Sequence, residues 1–206
     1  MAKYISVHPD NPQHRAIVQV ADIVRAGGVI AYPTDSCYAL GCLLGSSDGI
    51  KRIRAIRGVD EKHHLTLVCQ DFAQLGRFVL VPNRIFRAIK AATPGSYTFI
   101  LAATKEVPRR LQHPGKKTIG VRIPDHVVTQ ALLAELAEPL VSSTLLLPGQ
   151  DDPMTQGWQI NEEIGDALDA VLDSGDCGTV PTTVIDFSQD EPEIVRRGAG
   201  DPSAFE

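Results

Sequence analysis

The sequence lacks the long apolar run that a membrane-spanning helix needs. Among its 206 residues, the longest uncharged apolar stretches are 140–147 and 27–31, far short of the ~20 residues that cross a bilayer. The opening segment MAKYISVHPD has no basic region followed by an apolar run, which argues against a secretion signal. We therefore expect a cytoplasmic protein that has no membrane partner.

Cysteine is scarce, and the four that occur, at positions 37, 42, 69 and 177, are scattered. They form no C-x-x-C pair and have no histidine at ligand spacing, so the pattern favours neither a zinc site nor a disulfide framework. We expect reduced thiols that pack as small apolar side chains, and we expect no structural metal.

Several enzyme signatures are also missing. The sequence has no G-x-x-x-x-G-K-[ST], no G-x-G-x-x-G that opens a helix and no G-x-S-x-G, which argues against a P-loop, a Rossmann cofactor site and a serine hydrolase. The six histidines form no H-E-x-x-H. The adjacent pair His63 and His64 is expected to lie in a loop without a ligand role, because neighbouring side chains diverge.

The composition is that of a globular protein, 43% hydrophobic and 22% charged, but the charge is unevenly distributed. The net charge is −5, yet residues 51–122 hold fifteen Lys and Arg against four Asp and Glu, a local charge of +11. Residues 123–206 carry a charge of −15. A basic third inside an acidic protein indicates a local field for a polyanion, unless the basic and acidic elements simply face each other or the solvent.

The order of helix and strand patterns predicts one α/β domain over residues 1–206. Helix patterns with their capping residues occupy 11–28, 47–58, 82–92, 125–137 and 161–167. The last of them places Glu162 and Glu163 in its favourable first turn. Strand patterns occupy 28–32, 65–69, 97–102, 118–123, 140–143, 182–187 and 194–196. Interleaved helices and strands without repeats favour a mostly open sheet.

Small hydroxyl side chains and arginines fall at the predicted ends of strands or in the turns that follow. The hydroxyls are Thr34, Thr118, Ser142, Ser143, Thr144, Thr182 and Thr183, and the arginines are Arg57, Arg122 and Arg196. Ligands in open α/β sheets bind at strand ends, and hydroxyls with guanidinium forks suit a phosphate or carboxylate. Each hydroxyl alone is explained by a turn or a cap, so only the joint placement predicts an anion site.

Five motifs together resemble the YrdC-like family, whose founding activity is that of threonylcarbamoyl-AMP synthase. They are YPTDSCYALG at 32–41, PGSYTFIL at 94–101, TIGVRIPDH at 118–126, PTTVID at 181–186 and R-x-G at 196–198. The segments HPDNPQ, KEVPRRL and GAGD are similar to the YciO branch. The resemblance implies a single-domain YrdC-like α/β fold, with a twisted, mostly mixed open sheet and a concave basic face flanked by helices.

The resemblance also implies ligands. Relatives bind ATP, threonine and bicarbonate and make threonylcarbamoyl-AMP, on the route to a modified adenosine in tRNA, and Mg²⁺ usually accompanies the nucleotide in such reactions. Members of the family also bind double-stranded RNA or tRNA. Matched by motif, the residues implied to hold threonine are Thr34, Arg122, Ser142 and Thr182. Those implied to hold ATP are Arg57, Thr118, Thr144 and Arg196. No catalytic residue is assigned.

Two motifs of the synthases are altered. Their K-x-R corresponds to Ala55-Ile56-Arg57, and their S-x-N corresponds to Thr144-Leu145-Leu146. Arg54 or Lys62 is a candidate to replace the missing lysine. Losing a phosphate-facing cation costs on the order of a hundredfold in rate, so a weak or altered synthase is one hypothesis.

The second hypothesis is a non-catalytic module that binds double-stranded RNA or tRNA through its basic face, and a third is a protein-interaction surface without ligand. The basic residues predicted to contact RNA are Arg52, Arg54, Arg109, Arg110, Lys116 and Lys117. RNA binding needs neither the hydroxyls nor Arg122, so their presence favours a small-molecule pocket. The altered K-x-R favours the RNA module.

Overall fold

A computed structural model describes residues 1–189 and 191–206. Within these residues, eleven strands form one sheet and six α-helices pack on it. The helices are α1 (His14–Arg25), α2 (Ser47–Arg57), α3 (Phe72–Phe78), α4 (Asn83–Ala91), α5 (Val127–Leu136) and α6 (Gly157–Ile164). The strands are β1 (Lys3–Ser6), β2 (Ile30–Tyr32), β3 (Ala39–Leu43), β4 (Thr66–Val68), β5 (Val79–Leu80), β6 (Tyr97–Ala103), β7 (Thr118–Arg122), β8 (Leu140–Thr144), β9 (Ala170–Asp173), β10 (Thr183–Asp186) and β11 (Glu193–Arg196).

The sheet is open and mixed. Its strand order is β1-β9-β2-β3-β8-β4-β7-β6-β10-β11, and β5 pairs with β6. Strand β9 runs parallel to β1 and β2, and the pairs β4–β7 and β6–β10 are also parallel, whereas the other neighbours are antiparallel. This arrangement confirms the predicted α/β fold. It also brings β10 and β11, from the last part of the chain, beside strands from its middle.

Helices lie on both faces of the sheet, and the alternation of side chains along each strand separates two cores. On the first face, Ala31 of β2 and Val121 of β7 belong to a core shared with α2, α3, α4 and α6. On the second face, Ile30 and Tyr32 of β2 pack with α1 and α5. Among the described residues, this second core includes none from β6, β7 or β10. That half of the second face is therefore left open.

Helix α2 ends where the sequence predicts, and its end delivers a candidate site residue. Gly58 follows the helix in a left-handed conformation with φ 62°, which glycine adopts without steric cost. The N-terminal cap is Ser46, whose Oγ accepts the Gly49 N–H at 3.0 Å, one residue before the predicted cap. The last helical residue is Arg57, which turns toward the open half of the second face.

The prediction for α6 is wrong at its start. The helix begins at Gly157, so Glu162 and Glu163 lie in its last turn instead of its first. The start is set by packing, because a Cβ at residue 157 would lie 2.7 Å from Cγ of Asp173 in β9. Strand β9 carries no clear sequence pattern, and β1, β3 and α3 were not predicted either.

The four cysteines are free thiols, as predicted, and Cys42 and Cys69 are buried in the core of the first face. Burial raises the pKa of both thiols to about 12. No helix in the described part of the chain is long and apolar enough to cross a bilayer.

Candidate functional site

A cavity of about 370 Å³ occupies the open half of the second face. Its floor includes Thr66, Thr98 and Gly120, from the adjacent strands β4, β6 and β7. Glycine leaves room here, because a Cβ at residue 120 would lie 3.1 Å from the Thr66 Oγ1 and 3.3 Å from the Thr98 Cγ2. The side chains that rise around this floor come from segments distant in sequence.

The lining of the cavity is basic. Its titratable side chains are those of Arg57, Lys62, His63, His64, Arg122 and Arg196, together with the buried thiol of Cys37, and within the described residues no carboxylate lines it. Burial, followed by the charge of Arg196, lowers the pKa of Arg57. Burial also lowers the pKa of Arg196, to which the charge of Arg122 adds. The positive charge of Arg196 is therefore opposed by that of Arg57 and by that of Arg122, and an anion placed beside Arg196 would relieve this repulsion.

Arg122, at the end of β7, is the most buried of the three arginines. It forms an ion pair with Asp35, and the side chains of the two residues are only 8% and 11% exposed. Ser96 donates a hydrogen bond of 2.9 Å to the same carboxylate. The Nε–H of Arg122 is buried and has no partner among the described residues. Because Arg122 lines the cavity, its guanidinium group as a whole is within reach of an anionic ligand.

The other two arginines are held by carbonyl and hydroxyl oxygens. Arg57 donates from Nε to the Ser143 Oγ at 3.1 Å and from Nη1 to the carbonyl of Leu146. Arg196 donates from Nε to the Thr182 carbonyl at 3.0 Å and from Nη2 to the Thr182 Oγ1 at 3.2 Å. These bonds to neutral partners orient the guanidinium groups and leave their charges uncompensated.

Six of the eight residues that the family resemblance implies line this cavity: Arg57, Arg122, Ser142, Thr144, Thr182 and Arg196. Ser142 donates to the Leu40 carbonyl at 2.8 Å, so the buried Tyr32 hydroxyl, 2.6 Å away, donates to Ser142. Burial raises the pKa of Tyr32 to about 12, which keeps it protonated. The ligands assigned to these residues stay predictions.

The remaining two residues lie behind the cavity wall. The Thr34 hydroxyl donates to the Cys37 carbonyl at 2.6 Å and accepts the N–H groups of Ser36 and Cys37, both at 3.2 Å. Thr34 is thus a turn residue that positions Ser36 and Cys37, which do line the cavity. Thr118 is 2% exposed, and its hydroxyl has no partner among the described residues.

The two altered motifs differ in their position relative to the cavity. Ala55 is exposed on α2 and does not line the cavity, whereas Leu146 does. An apolar side chain thus stands where the synthases carry an amide. Of the two candidates to replace the missing lysine, Lys62 lines the cavity, and Arg54 does not.

None of the six basic residues predicted to contact RNA lines the cavity. Arg52 forms an ion pair of 2.7 Å with Asp169, and Lys116 forms one of 3.2 Å with Asp186. Arg110 donates to the Gly45 carbonyl at 3.1 Å. The two ion pairs reduce the free charge of Arg52 and Lys116, whereas the bond of Arg110 to a carbonyl leaves its charge uncompensated. RNA binding by the six residues stays a prediction.

Two lining residues were missed by the sequence reasoning. His63 and His64 both line the cavity, although the sequence predicts a loop pair without a ligand role. No periodic pattern constrains a loop, so only their place in the basic third of the chain was a signal. Within the described residues, no group of three or more His, Cys, Asp or Glu is arranged to hold a metal ion.

Comparisons with known proteins agree with this fold. The Sua5/YciO/YrdC family model, described as "Telomere recombination", matches residues 22–198. An uncharacterized protein, YciO of Escherichia coli K12, is 46% identical over 205 residues and the alignment covers 100% of both chains. Its crystal structure has a TM-score of 0.97 to this chain, again with full coverage of both.

Two further relatives carry descriptive names. The threonylcarbamoyl-AMP synthase of Halorhodospira halophila is 32% identical over 150 residues, which cover 72% of this chain and 78% of the synthase. The crystal structure of P. abyssi Sua5 complexed with L-threonine has 26% identity and a TM-score of 0.87, covering 95% of this chain and 57% of Sua5. From the matched model and these relatives, the chain belongs to the Sua5/YciO/YrdC family.

Proposed function

We propose that the cavity binds ATP and threonine and that the protein makes L-threonylcarbamoyladenylate from ATP, threonine and bicarbonate more slowly than the synthases do. The observation that supports this most is the convergence of Arg57, Arg122 and Arg196 in one cavity without a lining carboxylate among the described residues. Relatives named as threonylcarbamoyl-AMP synthases and one solved with L-threonine support the choice of substrates. The product would serve the threonylcarbamoyl modification of adenosine in tRNA.

Two ends of the cavity carry different roles in this proposal. The guanidinium group of Arg122 receives the carboxylate of threonine, and the hydroxyls of Ser142 and Thr182 face the rest of that molecule. Arg57 and Arg196 receive the phosphates of ATP. Both kinds of ligand oxygen suit a guanidinium that stays charged in a partly buried wall.

The reaction needs charge neutralisation more than covalent help from the protein. Bicarbonate first condenses with the amino group of threonine, with loss of water, to give a carbamate. A carbamate oxygen attacks the α-phosphorus, the bond from that phosphorus to the bridging oxygen breaks, and pyrophosphate leaves. Guanidinium groups near the leaving group stabilise the charge that moves onto pyrophosphate.

We expect the slower rate because Leu146 lines the cavity and offers no donor to a phosphate oxygen. In addition, position 55 of α2, which lies outside the cavity lining, carries alanine and no lysine. Lys62 lines the cavity and supplies one cation in its place. Mg²⁺ prefers oxygen ligands, and the described lining offers it hydroxyls but no carboxylate, so the ion would enter with the phosphates of ATP and neutralise part of their charge.

Release of pyrophosphate from ATP tests the proposal, with threonine and bicarbonate added together or omitted in turn. We expect release that requires both, and an Arg57→Ala variant that releases it at least roughly tenfold more slowly. The matched control is Arg87→Ala, which removes an exposed arginine of α4 outside the cavity. Release by the wild-type protein that is no faster than by Arg57→Ala would contradict the proposal.

A further inference from the structure

Two histidine rings from separate loops form a stack next to the cavity. The rings of His64 and His113 have centroids 5.0 Å apart and planes inclined by 15°. This geometry is that of stacked aromatic rings. His64 lines the cavity and His113 does not, so His64 is the member of the stack that meets a ligand.

His113 is fixed in place as a backing for that ring. Its Nδ1 accepts the N–H groups of Gly115 and Lys116 at 3.2 and 3.1 Å. Its own N–H donates to the Thr118 carbonyl at 2.8 Å, and its carbonyl accepts the Lys117 N–H at 2.9 Å. These bonds hold the ring in one orientation, so it supports His64 as a flat surface.

The stack lies within reach of the phosphate end of the cavity. His64 and Arg57 both line this one cavity. A molecule that contacts both His64 and Arg57 combines a planar ring with an anionic group. Apolar side chains of the same cavity, Val184 and Val195, add surface that suits a ring.

We propose that His64, backed by His113, stacks on the nucleobase of the bound nucleotide, a role that rests on the proposed function. Aromatic side chains stack on any base because every base has a π-face. His64 lies between Gly58 and Leu65, in the loop that directly follows the altered motif at 55–57, so this contact adds affinity where a phosphate-binding lysine is missing. Base recognition then contributes a larger share of nucleotide affinity than it would in a cavity with an intact K-x-R.

The test compares ATP with inorganic pyrophosphate, which carries the charge without the base. Calorimetric titrations use the wild-type protein, His64→Ala, His64→Phe and a control, His14→Ala, which changes an exposed histidine of α1. We expect His64→Ala to weaken ATP binding roughly tenfold and to leave pyrophosphate binding within about twofold. His64→Phe should restore ATP binding, because a phenyl ring keeps the stack. Upfield shifts of the adenine protons in NMR spectra should appear with wild-type protein and His64→Phe but not with His64→Ala.

The outcomes separate this inference from the proposed function. If the wild-type protein binds both probes and His64→Ala weakens neither, or weakens both equally, base stacking is wrong and the cavity proposal stands. A lower melting temperature with unchanged ATP affinity would give the histidine pair a purely structural role. If the wild-type protein binds neither probe, the proposed function fails and the base contact fails with it.

Discussion

Replacing Asp35 with asparagine tests whether the buried ion pair with Arg122 sets up the cavity. The substitution keeps the shape of the side chain and removes its charge. Breaking one side of a buried ion pair costs about 3–5 kcal/mol, because the other charge is left uncompensated. The cavity admits water beside Arg122, so we expect the lower end, a loss of about 3 kcal/mol in the free energy of unfolding.

Urea titration, monitored by circular dichroism, measures this loss in the free energy of unfolding. For a chain of this length, about 3 kcal/mol corresponds to a fall in melting temperature of roughly 6–12 °C. The control is Asp125→Asn, an exposed carboxylate one residue before the N-terminal cap of α5, for which we expect a change within about 0.5 kcal/mol. A double variant, Asp35→Asn with Arg122→Met, should be less destabilised than the sum of the single changes.

The same variant makes a prediction about anions. Asp35→Asn removes the negative charge beside Arg122, so saturating pyrophosphate should raise its melting temperature more than that of the wild-type protein. The reasoning is refuted if Asp35→Asn unfolds within about 1 kcal/mol of the wild-type value, or if the effects of the double variant are additive. Either result would mean that the pair is not energetically coupled.

Three further predictions concern pH, catalysis and RNA. Burial lowers the folded-state pKa of His126, the N-terminal cap of α5. The unfolded chain therefore binds the proton more readily, and the free energy of unfolding should fall as the pH drops below about 6.5. Urea titrations should show a smaller fall for the variant His126→Asn, which keeps a capping side chain. Leu146→Asn returns an amide donor to the cavity and should raise the rate of pyrophosphate release several-fold, whereas an unchanged rate would exclude a phosphate contact at this position. Reversing the four charges of the 109–117 loop should leave ATP affinity unchanged and, if RNA binds there, should reduce the affinity for duplex RNA and its salt dependence; the four residues are Arg109, Arg110, Lys116 and Lys117.

The sequence predicts most of the helices and most of the strands of this fold because their signals are local. Gly58 ends α2 through its own backbone freedom, and the apolar spacing of α5 needs no tertiary context. The strands β1 and β9 were missed because they are stabilised by pairing with each other across the length of the chain. The early start of α6 depends on its contact with β9, so it was missed for the same reason.

The candidate site likewise has one part that the sequence predicts and another part that depends on contacts between distant residues. Arg57, Arg122 and Arg196 could be grouped because each follows a strand or helix end, and such ends gather at one edge or face of a sheet. The ion pair of Asp35 with Arg122 and the stack of His64 on His113 could not be predicted. Both join residues that are distant in sequence, and their geometry is fixed only when β4, β7 and the loops beside them are in place.

The strand order of the sheet determines at what point during synthesis the complete cavity can form. Arg57 belongs to the first third of the chain, whereas Arg196 lies on β11, which among the described residues pairs with β10 alone. During synthesis, the ribosome must therefore extrude the polypeptide beyond residue 196 before the full set of guanidinium groups can assemble. A nascent chain that ends before residue 196 cannot form the complete ligand site. A bound anion can therefore stabilise that complete site only in the final stage of folding.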